Sequence, residues 1–187
     1  VTAAAEIDPA RLVSVSLDDP ERFTDVYDRY FPAIHRYVAG RLGAQAADDV
    51  VAETFLAAFR RRRTYDAAKG AVLAWLYGIA TNLVAQHRRA ETRRYQALAR
   101  VGVERDADAH DDRVAAAVTA ARMQPSLARA LAGLSRKERD VVLLTALADL
   151  THEEIATVLG IPYGTVGSRL NRARRKLRDA LTQTQGD

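Results

Sequence analysis

Apolar residues recur along this chain at spacings of three and four, and no stretch alternates apolar with polar positions long enough to make a strand. The pattern predicts helices over Pro20–Leu42, Ala47–Arg63, Ala71–Arg94, Ser126–Ala132, Ser135–Leu147, Thr151–Leu159 and Tyr163–Leu181. Val51, Phe55, Ala58 and Phe59 form the core stripe of the second, and Val72, Trp75, Leu76, Ile79 and Leu83 that of the third, which assigns Trp75 to the core. Between residues 95 and 124 the periodicity fades. The run from Glu104 to Asp112 is acidic and lacks a large apolar side chain, so it cannot bury enough surface to offset ordering entropy. The expectation is an all-α protein of two small helical domains, residues 1–94 and 125–187, joined by an acidic, flexible linker over 95–124.

Composition narrows the chemistry. The 187 residues include no cysteine, which removes disulfides, thiolate nucleophiles and Cys-ligated zinc. His35, His87, His110 and His152 are scattered without ligand spacing, so no metal site is expected. The longest apolar stretch, Ala71 to Ala80, is about half of a membrane span, and no basic segment followed by an apolar run opens the chain. Membrane insertion is not expected, and a cytoplasmic location is.

The net charge of +4 conceals a segregation. Residues 1–59 carry 5 basic and 10 acidic side chains, residues 60–100 carry 10 and 2, residues 101–162 carry 7 and 10, and residues 163–187 carry 6 and 2. Two basic blocks separated by acidic ones suggest two contacts with an anionic polymer and an acidic face left for another partner. Of the 28 basic residues 25 are Arg, whose planar fork suits phosphates and base edges.

The C-terminal block has the form of a helix-turn-helix. Thr151-His152-Glu153-Glu154 is a capping box, Gly160-Ile161-Pro162 a turn, and Tyr163 opens a basic helix. Val166, Leu170, Ala173 and Leu177 define its buried side, with Gly164, Ser168, Asn171 and Arg175 opposite and Arg172 beside them. A solvated helix end would explain the charge alone; the capped helix and turn before it point to duplex DNA. In the N-terminal block, Asp49 and Glu53 share a helix face. Asn82, Gln86 and Arg89 make a polar row flanked by Tyr77 and Thr81 and extended by Arg88, Arg93 and Arg94, suited to the bases and phosphates of a single strand.

Asp48-Asp49-Val50-Val51-Ala52-Glu53-Thr54-Phe55, Ala74-Trp75-Leu76-Tyr77-Gly78-Ile79-Ala80-Thr81-Asn82, Leu150-Thr151-His152-Glu153-Glu154-Ile155-Ala156 and Gly164-Thr165-Val166-Gly167-Ser168-Arg169-Leu170 together resemble the extracytoplasmic-function (ECF) sigma factors of the sigma-70 superfamily. The resemblance covers about residues 20–90 and 125–181 in family order. It implies a non-enzymatic specificity subunit that needs no cofactor, partnered by core RNA polymerase and promoter DNA, with an anti-sigma factor as a further candidate partner. Its C-terminal helix-turn-helix would be a winged-helix-like sigma region 4.

By that resemblance, Asp49, Glu53 and Phe55 would dock on the clamp coiled coil of the largest polymerase subunit. Tyr65, Lys69, Tyr77, Asn82, Gln86, Arg88 and Arg89 would hold the melted minus-10 strand, with a flipped base taken by the Tyr65–Gly70 loop and the Asn82 helix. Thr165, Ser168, Arg169, Asn171, Arg172 and Arg175 would read the minus-35 duplex. Residues 95–124 would thread toward the polymerase active-site region and the RNA exit path.

Gly167 departs from the long basic residue of many members, and Asn171 from a large one, so the promoter sequence does not carry over. The chain ending at Asp187 leaves no room for a further C-terminal domain on this reading. A stand-alone helix-turn-helix regulator is the alternative, though it gives the Asp49/Glu53 face and the Asn82 helix no role. A helical enzyme finds no paired carboxylates, His cluster or Gly-rich phosphate loop to support it.

Overall fold

The computed structural model describes residues 9–100 and 125–183, and every regular element among them is helical. In chain order these are α1 (Pro9–Asp18), α2 (Phe23–Leu42), α3 (Ala44–Arg61), α4 (Val72–Gln86), α5 (Arg88–Arg100), α6 (Pro125–Gly133), α7 (Arg136–Leu147), α8 (His152–Leu159) and α9 (Tyr163–Gln183). Short 3-10 turns occupy Pro20–Arg22, Arg62–Thr64 and Ala67–Lys69.

Helix α1 is absent from the periodicity argument. It buries Leu12 and Val13, and Arg62 Nε donates to the Ser16 carbonyl oxygen at 3.1 Å. Before α2, the Asp19 carboxylate accepts the Glu21 N–H at 3.2 Å, so Pro20–Arg22 forms a capped turn and α2 proper starts at Phe23. Helix α4 lies against α1, α2, α3 and α8. Its Val72, Leu76, Ala80 and Val84 are wholly buried.

One helix was expected over Ala71–Arg94; the chain instead turns at His87 (φ −90°, ψ 20°). The His87 N–H donates to the Val84 carbonyl oxygen at 2.9 Å, and its own carbonyl starts α5 by accepting from Ala90 and Glu91. The new direction buries Glu91 and Tyr95. Helix α5 then runs to Arg100, six residues into the stretch expected to be linker. Residues 101–124, with the acidic run, lie outside the described residues.

In the C-terminal half the helix starts at Ser135 and Thr151 carry reciprocal caps. Ser135 Oγ accepts the Glu138 N–H at 3.4 Å while Glu138 Oε2 accepts the Ser135 N–H at 3.0 Å. Thr151 and Glu154 repeat the arrangement at 3.3 and 2.8 Å. Gly160 ends α8 in the left-handed region (φ 60°), which a side chain would disfavour. Helix α9 buries Val166, Leu170 and Ala173, as the stripe predicts.

The two halves pack on one another through α5 on α6, α7 on α2 and α8 on α4. At the centre of the contact sits Arg41, wholly buried on α2. Its Nε donates to Glu91 Oε1 of α5 and its Nη2 to Asp140 Oδ1 of α7, each at 2.7 Å. Arg139 Nη1 of α7 donates to Glu91 Oε2 at 3.1 Å. Burial alone would weaken the Arg41 charge, but Tyr37, Glu91 and Asp140 around it hold the guanidinium firmly protonated.

Candidate nucleic-acid interface

The polar loop after the arginine-rich end of α3 is built by local bonds. Asp66 accepts the Ala68 N–H at 3.0 Å and so caps the 3-10 turn that presents Lys69. The Tyr65 hydroxyl donates to the Gly70 carbonyl oxygen at 3.1 Å, which fixes the ring beside α4. There it meets Trp75, with ring centroids 5.3 Å apart.

Tyr65, Lys69, Trp75, Gly78 and Asn82 line an open cavity of about 300 Å³, at the small end of ligand pockets. Asn82 is exposed, and no hydrogen bond to another described residue occupies its amide. Trp75, assigned to the core by its place in the stripe, packs on the core with one side and lines this cavity with the other. The opposite wall comes from α8, through Thr157 and Val158, which sequence reasoning did not place here. No local pattern could have found them, because they reach the cavity only through the contact between the halves.

The polar row continues as expected from Asn82 to Gln86 and Arg89, both exposed, with Arg89 and Arg93 beside a shallow groove at the α4–α5 junction. The Arg88 side chain lies outside the described residues. Tyr77 corrects the expectation: only 1% exposed, it meets Tyr37 edge-on at 5.2 Å and its hydroxyl pKa is pushed up by burial. It supports the polar row from beneath and offers no surface to a strand.

On α3, Asp49 and Glu53 are exposed on one face. Phe55, expected beside them, is 4% exposed and locked against Tyr27 at 4.8 Å. The apolar side chains that do reach solvent are Leu56, 47% exposed, and Tyr27, 39%, along a shallow groove with Pro20, Phe23 and Phe59. Leu56 was legible as an apolar residue just off the buried stripe.

Helix α9 holds Ser168, Asn171, Arg172 and Arg175 on its exposed side, with Thr165 and Arg169 half-buried at its edges. Ser168 Oγ donates back to the Thr165 carbonyl oxygen at 3.0 Å. At the N-terminus of α9, Tyr163 is 56% exposed and its ring lies 5.9 Å from His152 of α8.

Both halves match one superfamily. Residues 26–94 match Sigma-70 region 2, and residues 125–177 match Sigma-70, region 4. The ECF RNA polymerase sigma factor SigL of Mycobacterium tuberculosis (strain ATCC 25618 / H37Rv) is 31% identical over 175 residues, spanning 93% of this chain and 97% of SigL. The chain belongs to the ECF RNA polymerase sigma factors.

Two further ECF sigma factors are comparably similar. BldN of Streptomyces coelicolor is 31% identical over 179 residues (93% of this chain, 67% of BldN), and SigW of Bacillus subtilis 29% over 178 (91% and 95%). The fold is that of CnrH, solved in complex with the cytosolic domain of CnrY, with a TM-score of 0.67, 24% identity and coverage of 94% of this chain and 97% of the other. The sigma factor RpoE of Bartonella quintana, solved with the anti-sigma factor NepR, superposes with a TM-score of 0.59 at 22% identity, covering 86% and 96%. In this sigma factor region 2 therefore contains the aromatic side of the cavity and the Asp49/Glu53 face, and region 4 contains the capped helix-turn-helix and the cavity's opposite wall. The stand-alone regulator would explain the second match alone, and nothing in these likenesses supports it. No helix among the described residues is long and apolar enough to cross a membrane.

Proposed function

We propose that the two regions divide promoter recognition between duplex and single strand. Helix α9 enters the major groove at the minus-35 element, where Asn171 and Arg172 read base edges and Thr165, Ser168, Arg169 and Arg175 fix the helix on phosphates. The cavity takes a flipped base of the melted minus-10 strand: Asn82 hydrogen-bonds its edge, Trp75 and Tyr65 supply the aromatic wall, and Lys69, Gln86, Arg88 and Arg89 hold the backbone. The observation that carries this reading is Asn82, its amide unengaged at an aromatic cavity from which the polar row leads to an arginine-rich helix junction.

The chain acts without catalysis of its own. Core polymerase docks through its clamp coiled coil on Asp49 and Glu53, with Leu56 and Tyr27 as the apolar part of the contact and Phe55 as support beneath. It works where core polymerase works, in the cytoplasm. An anti-sigma factor stands as its regulatory partner, by analogy with the solved sigma factor that carries one. Run-off transcription with purified core polymerase and promoters mapped after overexpression tests the reading. Specific transcripts dependent on this protein are expected; failure to bind core polymerase refutes it.

A further inference from the structure

The packed form of this chain cannot reach both promoter elements together. Sites centred near minus-10 and minus-35 lie about 85 Å apart on duplex DNA at 3.4 Å per base pair. A single packed body of this chain length has a radius of gyration of about 16 Å. Work at a promoter therefore requires the halves to part, and the contact between them is suited to parting.

Each half brings one cation and one anion to the buried cluster: Arg41 and Glu91 from region 2, Arg139 and Asp140 from region 4. On separation Arg41 keeps Glu91, and Arg139 keeps the carbonyl oxygens of Leu131 and Leu134 at 2.9 and 3.0 Å. Each half parts with one cation and one anion, and Asp140, released from Arg41, is left to water. Buried ion pairs repay little more than their desolvation, so such a cluster fixes the register of a contact without making it permanent. Side-chain packing is fitted to the same contact. A Cβ on Gly40 would stand 3.0 Å from Leu147 Cδ1, so α2 and α7 meet where a side chain would intrude. On the far side of the interface, α8 sets Val158 and Thr157 against the cavity that holds Asn82 and Trp75.

We propose that Arg41, Glu91, Arg139 and Asp140 form an interdomain latch that holds the free chain shut, with α8 walling the Asn82 cavity until the halves separate. The latch needs no partner protein. Its consequence for DNA rests on the reading of the cavity as the base receptor.

The full-length chain supplies the test. Asp140→Lys sets a cation against Arg41 in the shut form but stands in water once the halves part, so it opens the molecule without burdening either fold. Gly40→Gln wedges the same contact at Leu147 and leaves all four charges in place. Both variants should keep the helical circular dichroism of the parent. Trp75, the single tryptophan, should become more accessible to acrylamide, and X-ray scattering should give a radius of gyration clearly above the packed value of about 16 Å. Apparent affinity scales with the competent fraction, so opening a molecule that is open about one-tenth of the time tightens binding of a degenerate ten-nucleotide single-stranded DNA pool by about tenfold.

Folded variants that match the parent in scattering and in Trp75 quenching overturn the latch. Opening together with tighter oligonucleotide binding supports both the latch and the base receptor. Opening with unchanged oligonucleotide binding supports the latch and overturns the base receptor.

Discussion

A Cβ atom on Gly78 of α4 would stand 3.4 Å from the carbonyl oxygen of Val158 in α8, so the two regions meet backbone to backbone at this point. Glycine inside a helix costs roughly 1 kcal/mol relative to alanine, and the close approach excludes only side chains larger than a methyl group. A methyl group fits that gap with ordinary contact; anything larger does not. Gly78→Ala should therefore raise the melting temperature while leaving the scattering profile unchanged, whereas Gly78→Leu should expand the molecule. An unchanged profile for both would mean that α8 is not held against α4.

Asn82 and Arg172 serve different steps and should fail differently. Asn82→Ala should leave duplex binding by the holoenzyme unchanged and reduce promoter opening by roughly fivefold, the worth of about 1 kcal/mol for one hydrogen bond. Permanganate reactivity of melted thymines reads that step. Arg172→Ala should weaken the closed complex by about 1–3 kcal/mol if it reads a base edge, with discrimination lost at one minus-35 position; a phosphate contact would instead lower the salt slope by about 1.

The exposed face of α3 predicts a clean separation of binding from stability. Reversing Asp49 and Glu53 to Lys should weaken core-polymerase binding while changing stability by no more than about 0.5 kcal/mol, because neither side chain is buried. Leu56→Asp should do the same. Phe55→Ala, by contrast, empties a packed site against Tyr27 and should cost about 3–5 kcal/mol of folding stability. Fluorescence anisotropy against core polymerase and thermal melting together distinguish these outcomes.

Region 4 should lose stability in acid through Glu138. Burial pushes this carboxyl up, but hydrogen bonds from Lys176 Nζ at 2.9 Å and from the Ser135 hydroxyl and N–H outweigh it and hold the pKa at about 2. A folded pKa below the ordinary carboxylate range means that the contribution is complete above about pH 4.5 and lost as the pH falls toward 2. Lys176→Met should move the acid-unfolding midpoint upward, and Ser135→Ala should add the loss of a cap, about 1 kcal/mol. Circular dichroism through an acid titration reads both; midpoints equal to the parent's would remove Glu138 from the account.

Helix positions in region 4 were legible in the sequence because the Thr151 capping box, the turn at Gly160 and the stripe from Val166 to Ala173 act within a few residues. The same holds for Asp49 and Glu53, whose face follows from their spacing of four. Helix α4 was harder. It is enclosed by α1, α2, α3 and α8, so apolar residues occur nearly all round it and no single stripe separates inside from outside. That is why Tyr77 read as part of the polar surface although Tyr37 buries it, and why Trp75 read as core alone although it also walls a cavity.

By itself the sequence determined an all-helical chain, the Thr151 cap, the exposed side of α9, the polar row from Asn82 to Arg89 and the family. Each of these rests on periodicity or on a motif confined to one element. Only the tertiary structure decided that Leu56, and not Phe55, meets solvent, that Thr157 and Val158 complete the Asn82 cavity, and that the two regions close on a buried charge cluster. Arg41 pairs with Glu91 and Asp140 across 50 and 99 residues of chain. Local patterning carries no record of such pairs: a buried arginine on a helix reads as a solvated one until the helices that cover it are in place.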